Sequence, residues 1–395
     1  MHTSLTRRLG VLVGAGLAVL LVSPPVQAAS PTETAPTSLD DVVTAKLLAQ
    51  AEDRPGFGSA DTSDTRVNVT RRDGGWAFGT AVLLAPKVEG AYPEGWLFLA
   101  RREAGKWRVG FEGEPALADL ASRAPVLKQR ERRAFSAQDE VSPSYAGGDY
   151  RTGMALPWSV GQSWYMTSGP HGWGGYETPY SSLDLAGGDQ VVRAARGGTA
   201  YTMCRGWVRV IHDRGYSTDH YHLWSNINVN GAGVGAGAYL GYTGTDVTCG
   251  GAASGRHVHF GLRQNGAYVP IGGHIIGKWT PYSSGSAYSG YALHGSRRVN
   301  AGGALYNYGA LGFTQGIVDA NGGTALNKRT GPGTGYAVAG SVADGATVSI
   351  SCSRNGTSHT GRFGTTSMWN RLTDGTWVSD AFLATGVNGP VNGWC

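Results

Sequence analysis

The chain has 395 residues, which is too long for one ordinary domain and favours two or three domains of about 150 residues. The apolar fraction of 41% is enough for a packed core, and the 63 glycines, roughly twice the usual share, favour strands and turns over long helices. The formal net charge is +5 without a dense cluster of Lys and Arg. This argues against a nucleic-acid partner and favours an anionic surface such as a cell wall.

The first 28 residues have the pattern of a secretory signal peptide. A basic start with Arg7 and Arg8 precedes an apolar run over residues 9–22, and small residues end the pattern at Ala28. The run is shorter than the ~20 residues that span a bilayer, so a membrane anchor is the less favoured alternative. We expect a secreted protein, extracellular or associated with a cell wall, with no stable membrane anchor after processing. The paired arginines leave Sec and twin-arginine export open.

Residues 29–140 differ from the rest of the chain in charge. They hold about half of the charged side chains in little more than a quarter of the length, which indicates a domain boundary. The runs GWAFGTAVLLAP and GWLFLARREAGKWRVGFEG predict two or three strands, with one helix before and one after. The basic stretch LKQRERRAF at 127–135 has the character of a processing site. We interpret the unit as a pro-segment; an ordinary N-terminal domain that stays attached is the equal alternative.

The remainder divides into three predicted parts. Residues 141–286 alternate short aromatic and β-branched runs with turn residues, which predicts a many-stranded antiparallel sheet. Residues 287–322 lack a clear period and are predicted to be a linker. Residues 323–395 resume the alternation, broken by GPG and DG turns, and predict a small barrel. The predicted fold class is therefore mainly β, with an α+β N-terminal segment.

The four cysteines agree with export. Cys204 and Cys249 lie in the middle of the chain, and Cys352 and Cys395 lie near its end. This distribution predicts two disulfides, each within one domain, and the spacing is too wide for a Cys-x-x-Cys motif. Cysteine catalysis is disfavoured because all four thiols are expected to be paired.

Two His-x-His pairs carry the metal-binding signal, in DHYHLW with His220 and His222, and in RHVHF with His257 and His259. Residues i and i+2 of a strand point to the same face, so each pair is expected to present two imidazoles to one side. A catalytic zinc keeps three protein ligands and one open position. Two more candidates lie upstream, His171 and Asp184. Aspartate is a poor strand residue, so Asp184 between two leucines needs a compensating metal or arginine.

These motifs resemble the lysostaphin-type and beta-lytic zinc metallopeptidases over roughly residues 150–280. The resemblance implies hydrolysis of peptide bonds in bacterial peptidoglycan, often at glycine, with one zinc ion per chain. It implies His171, Asp184 and His259 as the zinc ligands, and His222 and His257 as catalytic histidines off the metal. The wide gap between the first two ligands, and a Cys204–Cys249 disulfide, fit the beta-lytic branch.

Other histidines receive no role from the resemblance. We interpret His220, His212 and His274 as structural. Which of the two catalytic histidines is the general base is open, as are the scissile bond, the target organism and the maturation site. We expect a Gly-rich peptide or peptidoglycan as substrate, and a monomer. The alternative function is a non-catalytic wall-binding protein with a degenerate peptidase domain; a serine hydrolase is disfavoured because no G-x-S-x-G elbow is present.

The C-terminal part resembles a bacterial SH3-like domain through LNKRTGPGTGY, DGATV and DGTWVSDAFL. Such domains commonly bind cell-wall peptides. Lys328 replaces the usual small aliphatic residue after Leu-Asn, and a Cys352–Cys395 disulfide is expected. A stabilising cap without a ligand is the alternative.

Overall fold

The structure, a computed structural model, describes residues 38–52, 54, 56–88, 90–136 and 148–395. The predicted signal peptide lies outside the described residues, as does the stretch 137–147, where we expect part of the maturation region. The described chain is mainly antiparallel β-structure, which confirms the predicted fold class. Among its helices none has the length and apolarity needed to cross a bilayer.

The N-terminal segment, residues 38–136, is a four-stranded antiparallel meander with helices on either side of it in sequence. Its elements are α1 (Leu39–Glu52), β1 (Thr65–Asp73), β2 (Trp76–Leu83), β3 (Glu94–Glu103), β4 (Lys106–Phe111), α2 (Pro115–Ala121) and α3 (Gln129–Ser136). The described part of this segment has four strands and three α-helices, whereas we predicted two or three strands and two helices. The basic stretch at 127–135 forms most of α3 and the turn before it.

The position of strand β2, covered on both faces, explains why its sequence is almost entirely apolar. All eight of its residues are buried. Ala77 and Ala81 face α1, whereas Phe78 and Val82 face aromatic side chains of the central region, among them Trp207. Since both faces of the meander are covered, the strand has no solvent face that polar residues could occupy.

The central region consists of short strands around one large sheet. The strands are β5 (Arg151–Met154), β6 (Ser163–His171), β7 (Ser182–Ala186), β8 (Val191–Arg193), β9 (Gly198–Cys204), β10 (Trp207–Ile211), β11 (Tyr216–Tyr221), β12 (Asn230–Val234), β13 (Tyr239–Tyr242), β14 (Val258–Gln264), β15 (Ala267–Tyr268), β16 (Ile275–Ile276), β17 (Thr280–Tyr282), β18 (Tyr291–His294), β19 (Arg297–Asn300) and β20 (Ala304–Tyr306). The large sheet has the order β12-β9-β10-β11-β14-β7-β6-β20, with β15 paired to β14. One face covers the main apolar core, and the other faces the N-terminal segment.

The prediction of an irregular linker over 287–322 is wrong. Strands β18, β19 and β20 lie in this stretch, and β20 pairs with β6 of the large sheet. Leu305 and Ala292 are fully buried in the main core. The Gly-, Ala- and Tyr-rich composition hid these strands because each is only three or four residues long.

The C-terminal region forms a seven-stranded sheet of order β23-β22-β26-β25-β24-β21-β27. The strands are β21 (Gln315–Val318), β22 (Ala325–Arg329), β23 (Val338–Ala343), β24 (Thr347–Gly361), β25 (Gly364–Leu372), β26 (Trp377–Ser379) and β27 (Leu383–Ala384). Its SH3-like identity stays a prediction. Cys352 is bonded to Cys395, and Cys204 to Cys249, as predicted.

Candidate metal centre

Three adjacent strands bring the predicted ligands together. His171 is the last residue of β6, and Asp184 lies in the middle of β7. His259 lies on β14, where it is the direct cross-strand partner of Asp184. Leu183 and Leu185 point into the main core, so strand alternation turns Asp184 to the opposite face. This alternation answers why an aspartate stands between two leucines.

The ligand atoms of these three residues lie within 4.8 Å of one another. His259 Nδ1 is 2.9 Å from Asp184 Oδ1 and 3.2 Å from His171 Nε2. His171 Nε2 is 3.5 Å from Asp184 Oδ1. Two atoms bonded tetrahedrally to one zinc ion at about 2.0–2.1 Å are separated by about 3.4 Å. The three spacings therefore fit one shared ion.

The hydrogen bonds fix which ring nitrogen carries a proton. His171 Nδ1 lies 2.7 Å from the carbonyl of Gly169, and His259 Nε2 lies 3.2 Å from the carbonyl of Trp173. A carbonyl only accepts, so these nitrogens are donors and the other nitrogen of each neutral ring is a bare lone pair. Two imidazole lone pairs and a carboxylate thus face each other with no proton between them. A cation satisfies that arrangement.

The electrostatics keep Asp184 and His259 in the metal-binding form. Burial lowers the pKa of His259 to about 4, so its ring is neutral at pH 7. Burial alone would raise the pKa of Asp184, but the neighbouring His171 and His259 hold it well below its usual 3.8. Asp184 is therefore ionised although it is only 7% exposed.

The two predicted catalytic histidines lie beside this cluster. His257 Nε2 is 3.6 Å from Asp184 Oδ1, and the rings of His257 and His222 are 4.8 Å apart. Their Nδ1 atoms are held by the carbonyls of Gly255 and Asp246, at 2.7 and 3.1 Å. Both Nε2 atoms are therefore bare lone pairs, and neither has a hydrogen-bond partner among the described residues. Burial, with the neighbouring histidines, lowers the pKa of His222 to about 3.

The first His-x-His pair does not share a face, so that part of the geometric prediction is wrong. The ring of His220 lies on the face of the sheet that covers the main core, against Phe260 and the carbonyl of Val208. His222 follows the end of β11 with a φ of +68°, and this turn aims its ring at His257. The second pair does share a face, because both its histidines reach Asp184.

The other two histidines that we interpreted as structural, His212 and His274, lie outside the cluster. His212 is bound between the carbonyl of Gly197 and the hydroxyl of Thr218, at 3.1 and 2.9 Å. His274 packs edge-on against Tyr216. Both are buried, and their hydrogen bonds and ring contacts are to residues other than the predicted ligands.

Two tyrosines in the site were not predicted from the sequence. Tyr288 stacks on the ring of His171 with centroids 4.2 Å apart, and it comes from the stretch assigned to the linker. Tyr92 comes from the N-terminal segment and stacks on His259 at 4.3 Å. Each is an isolated aromatic residue in a Gly-rich stretch, so no periodic signal marks either one.

Known proteins to which the chain is similar include two that are named as peptidases. No protein-family model matches the chain. It is 37% identical over 120 residues to Protease LasA of Pseudomonas aeruginosa, a match that covers 28% of each protein. It is 30% identical over 123 residues to the beta-lytic metalloendopeptidase of Lysobacter enzymogenes, covering 28% of this chain and 68% of that protein. The chain thus spans less than a third of the length of this LasA protein.

A solved structure described as the novel M23 metalloprotease pseudoalterin from the deep sea is also similar. Its sequence is 34% identical, and the match covers 39% of this chain and 97% of that one, with a TM-score of 0.37.

Proposed function

Because the chain belongs to the lysostaphin/beta-lytic M23 family of metallopeptidases, we propose that it is a secreted zinc metalloendopeptidase. Its proposed substrates are Gly-rich peptides, above all the cross-bridges of bacterial peptidoglycan. The convergence of five groups supports this proposal: two imidazole lone pairs and a carboxylate that fit one zinc ion, and two further histidines whose free Nε2 atoms adjoin them.

His171, Asp184 and His259 would hold the ion. One carboxylate and two neutral imidazoles leave a divalent ion with a net charge near +1, so it remains a Lewis acid. When bound, zinc lowers the pKa of a coordinated water to about 7 and polarises the scissile carbonyl.

His222 and His257 supply the proton transfers in this proposal. Each gives its Nδ1–H to a backbone carbonyl, so Nε2 is the atom of each ring that can take a proton. One of the two accepts the proton of the attacking water and becomes an imidazolium. That imidazolium then donates through Nε2 to the amine that leaves as the C–N bond breaks. The ring centroid of the other imidazole lies 4.8 Å from that of the first, so the second ring is close enough to help hold the substrate.

The test is peptide cleavage by protein from which the predicted signal peptide and pro-segment have been removed. Pentaglycine and purified walls of differing cross-bridge type are incubated with it, and the fragments are analysed by mass spectrometry. We expect cleavage that 1,10-phenanthroline abolishes and added zinc restores. Cleavage that survives chelation contradicts the metal mechanism. Binding to walls without any cleavage favours the alternative, a wall-binding protein with a degenerate peptidase domain.

A further inference from the structure

A cavity of about 760 Å³ lies at the junction of the central region and the C-terminal sheet. This volume is typical of sites that bind small ligands or short peptide segments. Residues of both regions line the cavity: Ile275 and Thr280 belong to β16 and β17, whereas Met368 and Leu383 belong to β25 and β27. None of the five predicted site residues lines it, so the cavity is separate from the candidate metal centre.

Hydrogen bonds fix the two regions to each other beside this cavity. The Tyr150 N–H donates to the carbonyl of Gly386 at 2.9 Å, and the hydroxyl of Thr385 donates to the carbonyl of Val387 at 3.0 Å. Gly386 has a φ of +81°, and a Cβ there would lie only 2.9 Å from Cγ of Arg151. This close approach of the two backbones therefore requires glycine. The cavity is a fixed feature of the fold.

Asp380 is the only charged residue among the described residues that line the cavity. Asn370 Nδ2 donates to its Oδ1 at 2.8 Å, but Oδ2 accepts no hydrogen bond from the described part of the chain. Arg362 pairs with Asp319 instead, at 3.4 Å. Burial raises the pKa of Asp380 to about 6, because the hydrogen bond from Asn370 does not outweigh it and no cation lies close by among the described residues. The carboxylate therefore lacks a cationic partner there.

A buried chain of hydrogen bonds holds this carboxylate in place. The hydroxyl of Ser353 donates to Oδ1 of Asn370 at 2.6 Å, so the amide of Asn370 presents its N–H to Asp380. Ser353 and Asn370 are both fully buried, and Ser353 follows the disulfide-bonded Cys352. A side chain that is already held in position needs little reorganisation when a ligand binds. One carboxylate oxygen is used by the protein, and the other is left for a ligand.

Aromatic side chains line the cavity together with this carboxylate. Phe363 and Trp394 are 45% and 57% exposed, and Tyr282 lines the cavity from β17. The Phe363 N–H donates to the carbonyl of Ala381 at 2.9 Å, which fixes Phe363 next to the turn that carries Asp380. Clustered exposed apolar side chains often mark a ligand-binding groove. Aromatic faces attract ammonium groups, and a carboxylate forms charge-assisted hydrogen bonds with them.

We propose that this cavity binds a primary ammonium group carried by a peptide, with the Asp380 carboxylate as its anionic partner. Oδ2 accepts a hydrogen bond from the ammonium, and Phe363 and Trp394 pack against the attached chain. A calcium ion does not fit this lining, because Ca²⁺ takes about six to eight oxygen ligands and a single carboxylate is present among the described lining residues. The ammonium is either the N-terminal amine of the peptide or the amine of a basic side chain. The inference goes beyond the proposed function, since the cavity shares no residue with the metal centre.

Isothermal titration calorimetry of the full-length protein tests the site with three probes, at about pH 7.5, where the Asp380 carboxyl is ionised. Triglycine amide carries an N-terminal ammonium, N-acetyl-lysine methylamide carries a side-chain ammonium, and N-acetyl-triglycine amide carries neither. Mass spectrometry checks that the probes stay intact. We expect one or both amines to bind about tenfold or more tightly than the acetylated peptide, because acetylation removes the charged donor. The tighter of the two amines identifies the source of the ammonium.

Asp380→Asn removes the negative charge but keeps an oxygen that accepts from Asn370, and it should weaken amine binding about tenfold or more. The matched control is Asp374→Asn, which removes a carboxylate that pairs with Lys328 at 2.7 Å and does not line the cavity. It should bind the amines like the wild type.

Unchanged amine binding in Asp380→Asn would overturn the proposal. Equal affinity of the wild type for the amines and for the acetylated peptide would overturn it too. This second comparison needs no variant, so it decides the question if circular dichroism shows that Asp380→Asn does not fold. Binding is measured without reference to cleavage, so the result is independent of the outcome for the proposed peptidase function.

Discussion

Asp184 and His259 are direct cross-strand partners, and their Oδ1 and Nδ1 atoms lie 2.9 Å apart. Side chains directly opposite each other on one face of a sheet are close by construction, so the register of β7 and β14 sets this distance. His171 joins them from the next strand, at the end of β6. The candidate centre is therefore built on rigid sheet positions and not on mobile loops.

We predict that His259→Ala loses zinc, because the other two groups leave an incomplete coordination shell. Loss of even a supporting contact typically costs 10–100-fold in metal affinity, so removal of a ligand should cost about 100-fold or more. His257→Ala is the matched control from the same His-x-His pair and should keep zinc. Equilibrium dialysis followed by metal analysis measures both. Equal zinc loss in the two variants would show that the roles are assigned wrongly.

We predict that His222→Ala keeps zinc but loses turnover. A positioned general acid or base contributes about 10²–10⁴-fold, so kcat should fall by that factor. The control is His220→Ala, two residues earlier, whose ring lies on the core side of the sheet. It should lose stability but keep most of its kcat below the unfolding temperature. Comparable losses of kcat in both variants would contradict the assignment.

We predict that acid weakens the fold through Glu131. Burial would raise the pKa of this carboxyl, but hydrogen bonds from Arg71 and Tyr201 outweigh burial and lower it from 4.5. A carboxyl with a lowered folded-state pKa stabilises the fold above pH 4.5, and that contribution is lost as the pH falls through the folded-state pKa. Glu131 lies on α3 of the N-terminal segment, and its partner Tyr201 lies on β9 of the central region. Protonation of Glu131 therefore weakens the attachment of the N-terminal segment to the central region.

The measurement is the free energy of unfolding between about pH 5 and about pH 3. Glu131→Gln is the control, since its amide does not titrate. The wild type should lose more stability over this range than the variant. Parallel pH profiles would contradict a role for the Glu131 carboxylate.

We predict that Leu305→Ala destabilises the protein by about 2–5 kcal/mol, because it leaves a cavity in the main core. Leu305 is 1% exposed on β20, within the stretch first predicted to be a linker. Its neighbour Tyr306, 38% exposed, is the control, and Tyr306→Ala should change stability by about 0.5 kcal/mol or less. Denaturant unfolding measures both. A neutral Leu305→Ala would mean that β20 adds little to the core.

Local sequence signals single out two of the three candidate ligands, whereas the choice of His171, Asp184 and His259 as a set comes from the resemblance to the metallopeptidase family. Asp184 between leucines is locally unfavourable in a strand, and His259 lies in a His-x-His run, so both attract attention without a structure. The mainly β fold class followed from glycine content and alternation. These are local signals, which need no knowledge of distant contacts.

Other features depend on contacts between distant parts of the chain. Tyr92 and Tyr288 reach the site only because the N-terminal segment and the stretch after β17 fold onto it. The aim of His222 depends on a positive φ at a non-glycine residue, which no composition rule predicts. Strands of three or four residues, such as β20, are too short to show a period.

The central claim is that one zinc ion binds between three side chains. Anomalous diffraction from crystals of the zinc-loaded protein, measured on both sides of the zinc absorption edge, tests it most directly. We predict one anomalous peak, at about 2.0–2.2 Å from His171 Nε2, Asp184 Oδ1 and His259 Nδ1. A zinc-loaded crystal with no peak there, or with its peak bound by His222 and His257 instead, would contradict the account.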